Sequence, residues 1–507
     1  MTDFSPEMDG FRAAYEAGKP QVVWTTLVAD LETPVSAFLK LTQGRGHTFL
    51  LESVEGGAIR GRYSFIGLMP DVIWRCVGER AEINRNALND TAAFTPEAGH
   101  PLQSMRALIA ESLIDLPEEL PPMAAGLVGY MGYDMVRLME KLPSPNPDPL
   151  GTPDGMFVRP TLMAVFDSVK DLVILVTPVR PQPGVTAEAA YSRALDRLWL
   201  GIDALDTPVP AAHSSAGIDA APLPEPVSNT PRERYLDMVR KAQEYIAAGD
   251  IFQVVLSQRF SVPFDLPPFA LYRALRRTNP SPYMYYMDMD GFAVTGSSPE
   301  ILVRLKDGEV TIRPIAGTRP RGATAAEDKA LMEGLLADPK ELSEHLMLLD
   351  LGRNDVGRVA KPGTVEVTEQ NTIELYSHVM HIVSNVRGQI DPAHDGIDAL
   401  CGGFPAGTVS GAPKVRAMEI IDELEVEKRG IYAGGVGYFS ANGSMDTAIV
   451  LRTGLVKDGR MYIQAGAGIV ADSVPESEDA ECRAKARALV RAAQEAVRFA
   501  AAPGRGQ

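Results

Sequence analysis

TPRERYLDMVRKAQEYIAAGDIFQVVLS, residues 230–257, sets a helix signal directly against a strand signal. Thr230, Pro231 and Glu233 fit the N-cap, N1 and N3 positions of a capping box. Tyr235, Val239, Ala242 and Ile246 fall on one helical face, and Gly249 supplies the stop. Beyond that glycine, residues 251–257 turn β-branched and apolar and read as a strand. Further strands are expected at 284–289, 310–314, 379–386, 436–439, 448–455 and 461–465, with a strand-like run at 172–176 upstream. Helices are expected at 269–278, 328–334, 342–351, 413–424 and 475–499, at irregular intervals between the strands. Paired strands with clustered helices favour an α+β fold over regular βαβ alternation. Residues 206–230 are dense in Pro, Ala and Ser and read as a linker or long loop, dividing an N-terminal region, 1–205, from a second region, 231–500. No internal repeat of about 20 to 50 residues is present.

Composition narrows the function. The 507 residues are 45% hydrophobic and 23% charged, ordinary globular usage that excludes disordered and fibrous classes. Carboxylates outnumber basic side chains 66 to 49, for a net charge of −17. Such a body repels phosphate backbones and anionic lipid, so neither nucleic acid nor membrane is an expected partner. Cys76, Cys401 and Cys482 lie too far apart for a C-x-x-C pair and make no even disulfide framework, which points to a reducing, cytoplasmic setting. Residues 1–10 have neither a basic nor an apolar leader segment, and no apolar run approaches the roughly 18 residues a membrane span requires.

Several motifs suggest chemistry and fail on inspection. The glycines at 434–437 and 466–468 lack the G-x-G-x-x-G spacing that opens a dinucleotide-binding helix. GTVSGAPK, 407–414, resembles a phosphate loop, but Pro413 precedes the lysine and no Lys-Ser/Thr pair follows. Its backbone N–H groups and Thr408 remain able to receive a carboxylate. His378 and His381 form H-x-x-H on an expected strand, which sends the rings to opposite faces and disfavours zinc. Glu341 and Glu344 share one helical face, as do Glu478, Glu481 and Lys485 on another. Taken alone these stripes read as solvated surface. Brought together, an all-carboxylate cluster would suit Mg²⁺.

Many separate segments resemble the chorismate-utilising enzymes, and among them the large subunits (component I) of anthranilate synthases. The segments are GDIFQVVLSQRF (249–260), SPE (298–300), PIAGTR (314–319), ELSEH (341–345) running into LDLGRND (349–355), HVMH (378–381), PAGTVSGAPK (405–414) and DSVPESE (472–478) continuing to Lys485. LLES (50–53) and GRYS (61–64) are similar to the regulatory part of the same enzymes.

The resemblance implies an α+β fold of large antiparallel sheets packed as a sandwich with outer helices. It also implies amination of chorismate at C2 followed by pyruvate elimination, giving anthranilate for tryptophan synthesis. It implies Mg²⁺ held directly by Glu344 and Glu481, with Glu341 and Glu478 acting through water. Lys485 and Arg452 would hold substrate carboxylates, and Thr408, Tyr432, Gly466 and Gly468 would complete that pocket. Glu300 would be the general acid, His381 would serve the elimination step, and Thr318 would accompany it. Relatives that add water carry a lysine base where this chain has Gln253, and aminodeoxychorismate synthases a nucleophilic lysine where it has Ala316. Both differences favour ammonia at C2. No cysteine sits in a glutaminase G-x-C-x-G elbow, so a separate glutamine amidotransferase subunit (component II) is expected, in an assembly of two large and two small subunits. Feedback inhibition by tryptophan is implied at Glu52, Ser53, Arg62, Pro282, Tyr283, Met284, Val436 and Tyr438.

Overall fold

The computed structural model describes residues 3–55, 59–210, 222–376 and 379–501. Antiparallel pairing joins 22 strands into one curved sheet system, with helices on its outer faces, an α+β architecture as expected. The strands divide their side chains between two cores by the two-residue period of the β-strand. In Gly155–Asp167, Met163 and Val165 enter a core lined by strands, whereas Leu162, Ala164 and Phe166 enter one shared with helices. Tyr283–Asp288 behaves alike: Tyr285 and Met287 face the interior between sheet layers, Met284 and Tyr286 the helical side. The outer side is closed by Arg232–Ala248, Pro268–Thr278 and the long Pro475–Ala501, whose apolar stripes carry Tyr235, Tyr272 and Leu489.

The N-terminal and C-terminal regions share strands. Thr48–Glu52 pairs with Tyr283–Asp288, placing Glu52 opposite Met284, and Gly126–Met131 pairs with Gly435–Ser440. The Glu52 carboxylate lies buried at the first join, taking two hydrogen bonds from Arg276 at 2.6 and 2.7 Å and one from Tyr272 at 2.6 Å. Breaking such a pair from one side leaves a buried charge uncompensated. Each join therefore fixes the N-terminal region against strands that lead to the site.

Two local expectations change. The helix begins at Arg232 with Pro231 as N-cap and no side-chain cap. Thr230 donates its hydroxyl to Asn229 Oδ1 at 3.0 Å instead, in a turn leading from the short strand Val227–Ser228; Gly249 ends the helix at φ 85 as expected. The expected strand 448–455 is two, Met445–Ile449 and Thr453–Lys457, because Arg452 adopts φ 48 and turns the chain. The expected linker 206–230 follows the helix Ala187–Asp206, and its stretch 211–221 lies outside the described residues.

Gly129 sits where Gly126–Met131 joins both Gly155–Asp167 and Gly435–Ser440, and a Cβ there would stand 2.0 Å from the Met156 carbonyl oxygen. Backbone cannot yield as a side chain can, so Gly129→Ala is expected to cost about 1–3 kcal/mol of unfolding free energy in urea titration. An unchanged midpoint would contradict this account of the join.

Candidate functional site

Glu300 occupies the break between strands Ala293–Ser298 and Ile301–Lys306. Its backbone is held across the sheet, where Ile449 N–H donates to the Glu300 carbonyl at 3.0 Å and Ser298 Oγ donates to the Ile449 carbonyl at 2.6 Å. The side chain is buried, and burial pushes its carboxyl up to about 8. Thr408, the Ile315 N–H and the positive charge of Arg452 only partly offset this. Glu300 is therefore largely protonated at neutral pH, and able to donate a proton. The Thr408 hydroxyl lies beside it without a well-formed hydrogen bond.

His381 lies on Val379–Gln389 opposite Thr318 of Ile315–Pro320. The register slips between Ala316 and Thr318, where Gly317 takes φ 63. The Gly317 carbonyl thereby faces the ring at 3.1 Å from Nδ1, with Thr318 Oγ1 also at 3.1 Å. A carbonyl only accepts, so the proton resides on Nδ1. Burial, reinforced by Arg452, pulls the imidazole down to about 4, leaving it neutral with Nε2 buried and unpartnered. Tyr376 meets the ring edge-on, centroids 5.3 Å apart. His378 lies outside the described residues.

Arg452 completes this end. Burial lowers its pKa, while the negative ends of Tyr376 and Glu300 favour its charge. The left-handed turn at φ 48 carries its guanidinium toward Glu300 and His381. No ion pair holds it among the described residues. A fork of donors without a carboxylate, in a chain of net charge −17, is suited to an anion from outside.

At the other end, Arg460–Ile469 pairs with Gln253–Pro263 so that Gly466 stands opposite Ser257 and Gly468 opposite Val255. A Cβ on Gly466 would meet the Tyr432 hydroxyl at 2.8 Å, and one on Gly468 the Gln253 amide nitrogen at 2.4 Å. These two glycines leave room for the Tyr432 and Gln253 side chains. The Gly466 N–H donates to the Tyr432 hydroxyl, and Lys485 Nζ donates to the Gly466 carbonyl at 2.8 Å. Gln253 is buried and donates to Glu344, its own Oε1 left without a partner.

The two glutamate stripes converge. Glu341 and Glu344 lie on Pro339–Gly357, Glu478 and Glu481 on Pro475–Ala501. Burial first, then the charges of Glu341 and Glu481, raise the Glu344 carboxyl. Burial, then Glu481, raises that of Glu478. Salt bridges occupy two of the four, Arg319 on Glu341 at 2.8 Å and Lys485 on Glu481 at 2.7 Å. No group of three or more acidic, His or Cys side chains is drawn to ligating distance among the described residues. The donor set nonetheless fits a hard cation: carboxylate oxygens repelling one another across two helices, which positive charge between them would relieve.

On the far side of the Glu300 strand lies a cavity of about 780 Å³. Glu52, Ser53, Pro282, Tyr283, Met284, Val436 and Tyr438 all line it. Arg62 does not. It is bound to Asp167 by Nη2 at 2.8 Å and Nε at 3.2 Å, and is nearly half exposed. Glu52 reaches the cavity with its carboxylate already held by Arg276 and Tyr272. Arg304, Arg313 and Asp446 are additional polar lining. Arg304 and Asp446 are cross-strand neighbours 142 residues apart, a pairing that local periodicity cannot register. Sequence reasoning also missed Tyr376 and the buried pair Arg429–Glu425. The pair ties the Val409 and Val255 carbonyls together at 2.7 and 2.6 Å, below the Tyr432 ring.

The family model for chorismate binding enzymes matches residues 49–491. Anthranilate synthase component 1 of Cereibacter sphaeroides is 58% identical over 506 residues, covering all of both chains. That of Thermus thermophilus is 48% identical, across 92% of this chain and 97% of the relative. The crystal structure of anthranilate synthase component I from Streptococcus pneumoniae superposes with a TM-score of 0.75 at 37% identity, covering 92% of this chain and 99% of that one.

The raised carboxyl of Glu300 carries a thermodynamic signature. From its ordinary value of 4.5 up to about 8, the folded chain retains a proton that the unfolded chain has lost. The contribution of this group to stability therefore falls as pH rises through that window. Glu300→Gln removes the effect: the variant should gain stability relative to the native chain between pH 5 and pH 8, read by thermal unfolding at each pH. A difference independent of pH would contradict the protonated assignment.

Proposed function

This chain belongs to the chorismate-binding enzymes, and from that premise we propose that it converts chorismate and ammonia to anthranilate and pyruvate in tryptophan biosynthesis. The observation that carries the reading is a buried acid, protonated near neutrality, beside an arginine without a carboxylate partner and a neutral histidine with a free ring nitrogen. Arg452 grips the enolpyruvyl carboxylate with its planar fork, and Tyr432, Thr408 and the Gly466 to Gly468 backbone seat the rest of the substrate. Ammonia forms a bond to ring C2 as the C4 hydroxyl departs, and Glu300 gives that hydroxyl its proton so that water leaves. His381 Nε2, its lone pair unengaged, takes the C2 proton as the bond from C3 to the enolpyruvyl oxygen breaks. The ring becomes aromatic as the oxygen leaves with the bonding pair, and the released enolate takes a proton from solvent at its methylene carbon to become pyruvate. Nδ1–H stays on the Gly317 carbonyl throughout, which fixes the tautomer.

Mg²⁺ held by Glu344 and Glu481, with Glu341 and Glu478 behind water, would neutralise the ring carboxylate. Release of Glu481 from Lys485 would free that ammonium for the same substrate. A carboxamide at Gln253 cannot deprotonate water, and Ala316 cannot form a covalent amine adduct, so both favour direct use of ammonia at C2. Ammonia would come from a glutamine amidotransferase subunit, in an assembly of two large and two small chains. Tryptophan would occupy the 780 Å³ cavity, whose mixed apolar and polar lining suits an aromatic amino acid.

The test is fluorescence detection and product identification with the purified chain, chorismate, Mg²⁺ and an ammonium salt, with and without tryptophan. Anthranilate, lost on chelation and suppressed by tryptophan, is the expected result; aminodeoxychorismate or no product would overturn the reading. In the same assay His381→Met should slow pyruvate release by about 10²–10⁴-fold, the scale of one general base, with an amino intermediate accumulating. Turnover within a few-fold of the native rate would remove His381 from the elimination.

A further inference from the structure

The chain between helix Lys414–Leu424 and Tyr432 is closed on itself by one buried ion pair. Arg429 donates to both carboxylate oxygens of Glu425, Nε to Oε2 at 3.0 Å and Nη2 to Oε1 at 2.6 Å, with 1% and 3% of the two side chains exposed. Further N–H groups of the fork run outward to backbone, Nη1 to the Val409 carbonyl at 2.7 Å and Nη2 to the Val255 carbonyl at 2.6 Å. The carboxylate reaches outward as well, Glu425 Oε1 accepting from the Ser257 N–H and from its hydroxyl, each at 2.8 Å. The guanidinium carbon lies 4.7 Å from the centre of the Tyr133 ring and 5.6 Å from that of Tyr432.

Each backbone contact ends one residue or one strand pairing away from the substrate pocket. Val409 follows Thr408 in the chain. Val255 and Ser257 stand opposite Gly468 and Gly466, and Gln464, two residues before Gly466, donates to the Ser257 hydroxyl at 2.9 Å. Tyr432 lies three residues beyond Arg429, past Gly430 at φ 60, whose carbonyl accepts from the Tyr133 N–H at 2.8 Å. Stability alone is a poor reason for such a pair. Taking two charges out of water commonly costs as much as their attraction returns, and apolar residues of similar volume often serve as well. A planar fork supplies what apolar residues cannot, fixed distances to several acceptors at once.

We propose that Arg429 and Glu425 are positioning residues for chorismate, setting the spacing of three walls of its pocket: the loop that carries Thr408, the Tyr432 ring and the strand through Gly466 and Gly468. The proposal rests on the amination reading above, which seats the substrate on those walls. Both residues act through their neighbours. The pair's hydrogen bonds beyond itself go to Val255, Ser257 and Val409, and none goes to Glu300, His381 or Arg452 among the described residues. Its loss therefore loosens the seat and spares the groups that move protons.

The experiment measures initial rates of anthranilate formation by the full chain while chorismate is varied at saturating ammonium chloride, and then the reverse, with thermal unfolding of each variant alongside. Arg429→Lys keeps the charge and a bond to Glu425 but loses the fork that spans both carbonyls. Its chorismate KM should rise at least about tenfold, the scale of one hydrogen bond to a charged group, with kcat within about threefold of native and the ammonium KM unmoved. The double variant Glu425→Gln with Arg429→Met leaves no buried charge unpaired and keeps an amide oxygen for Ser257, so it should fold and show the same rise. A chorismate KM unchanged in either folded variant would reduce the pair to a stabilising contact and overturn the proposal. A fall in kcat with chorismate KM unmoved, or equal rises in both KM values, would mean a general loss of structure and overturn it equally. If neither variant folds, the pair belongs to the folding core and the proposal fails. Failure of the native chain to form anthranilate would instead remove the amination reading, and this role with it, whereas native turnover with unmoved KM in the variants removes this proposal alone.

Discussion

Exclusion of water from Glu300 is the constraint on which the site depends. A carboxyl in the open would be ionised at neutral pH and useless as a donor; sheet layers closing around residue 300 push it up to about 8. The same burial acts oppositely on His381, holding the imidazole neutral. Two titratable groups in one environment thus move in opposite directions, and their roles divide accordingly. Arg452 acts on both, opposing the rise at Glu300 and reinforcing the fall at His381. The sandwich, the two strand joins and the outer helices serve this end by keeping solvent away from three side chains drawn from distant parts of the chain.

Alternation along the strands gives the molecule two working faces. Pro299 and Ile301 line the large cavity, and Glu300 between them points to the site. Tyr376 lines the cavity and rests on His381. Val436 lines it four residues beyond Tyr432, whose hydroxyl is held by the Gly466 N–H. An occupant of the cavity would touch the chain neighbours of Glu300, the ring that rests on His381 and the strand that follows Tyr432. Any preference of that occupant for one arrangement of these strands is coupling between two sites in the thermodynamic sense.

Much of the C-terminal fold was legible, because its elements announce themselves locally. The helix at 232–248 shows a clean apolar face and a glycine stop, and the strands at 284–289 and 379–386 lie within two or three residues of those observed. The helix start was not legible, because the Thr230 hydroxyl serves Asn229. The turn at Arg452 was hidden inside an apolar run, since nothing about an arginine foretells φ 48. The long strands Tyr63–Val77 and Gly155–Asp167 show why the N-terminal half reads poorly. The second is buried on both faces, so it has no alternation, and each contains a proline that would argue against a central strand. Pro70 and Pro160 stand opposite each other beside a bulge, where their missing N–H groups break no regular ladder. Site residues were legible through family resemblance more than through pattern. Glutamate stripes look like solvated surface until two helices meet, and the exclusion of Arg62 from the cavity follows from its tie to Asp167, 105 residues away.

The protonation state of Glu300 is the central claim, and it is directly observable. Carbon-13 NMR of the chain labelled at glutamate side-chain carboxyls, with Glu300→Gln used to assign the resonance, follows this group alone across pH. The account predicts a midpoint near 8. A midpoint near the ordinary 4.5 would place an ionised carboxylate at the heart of the site and contradict it.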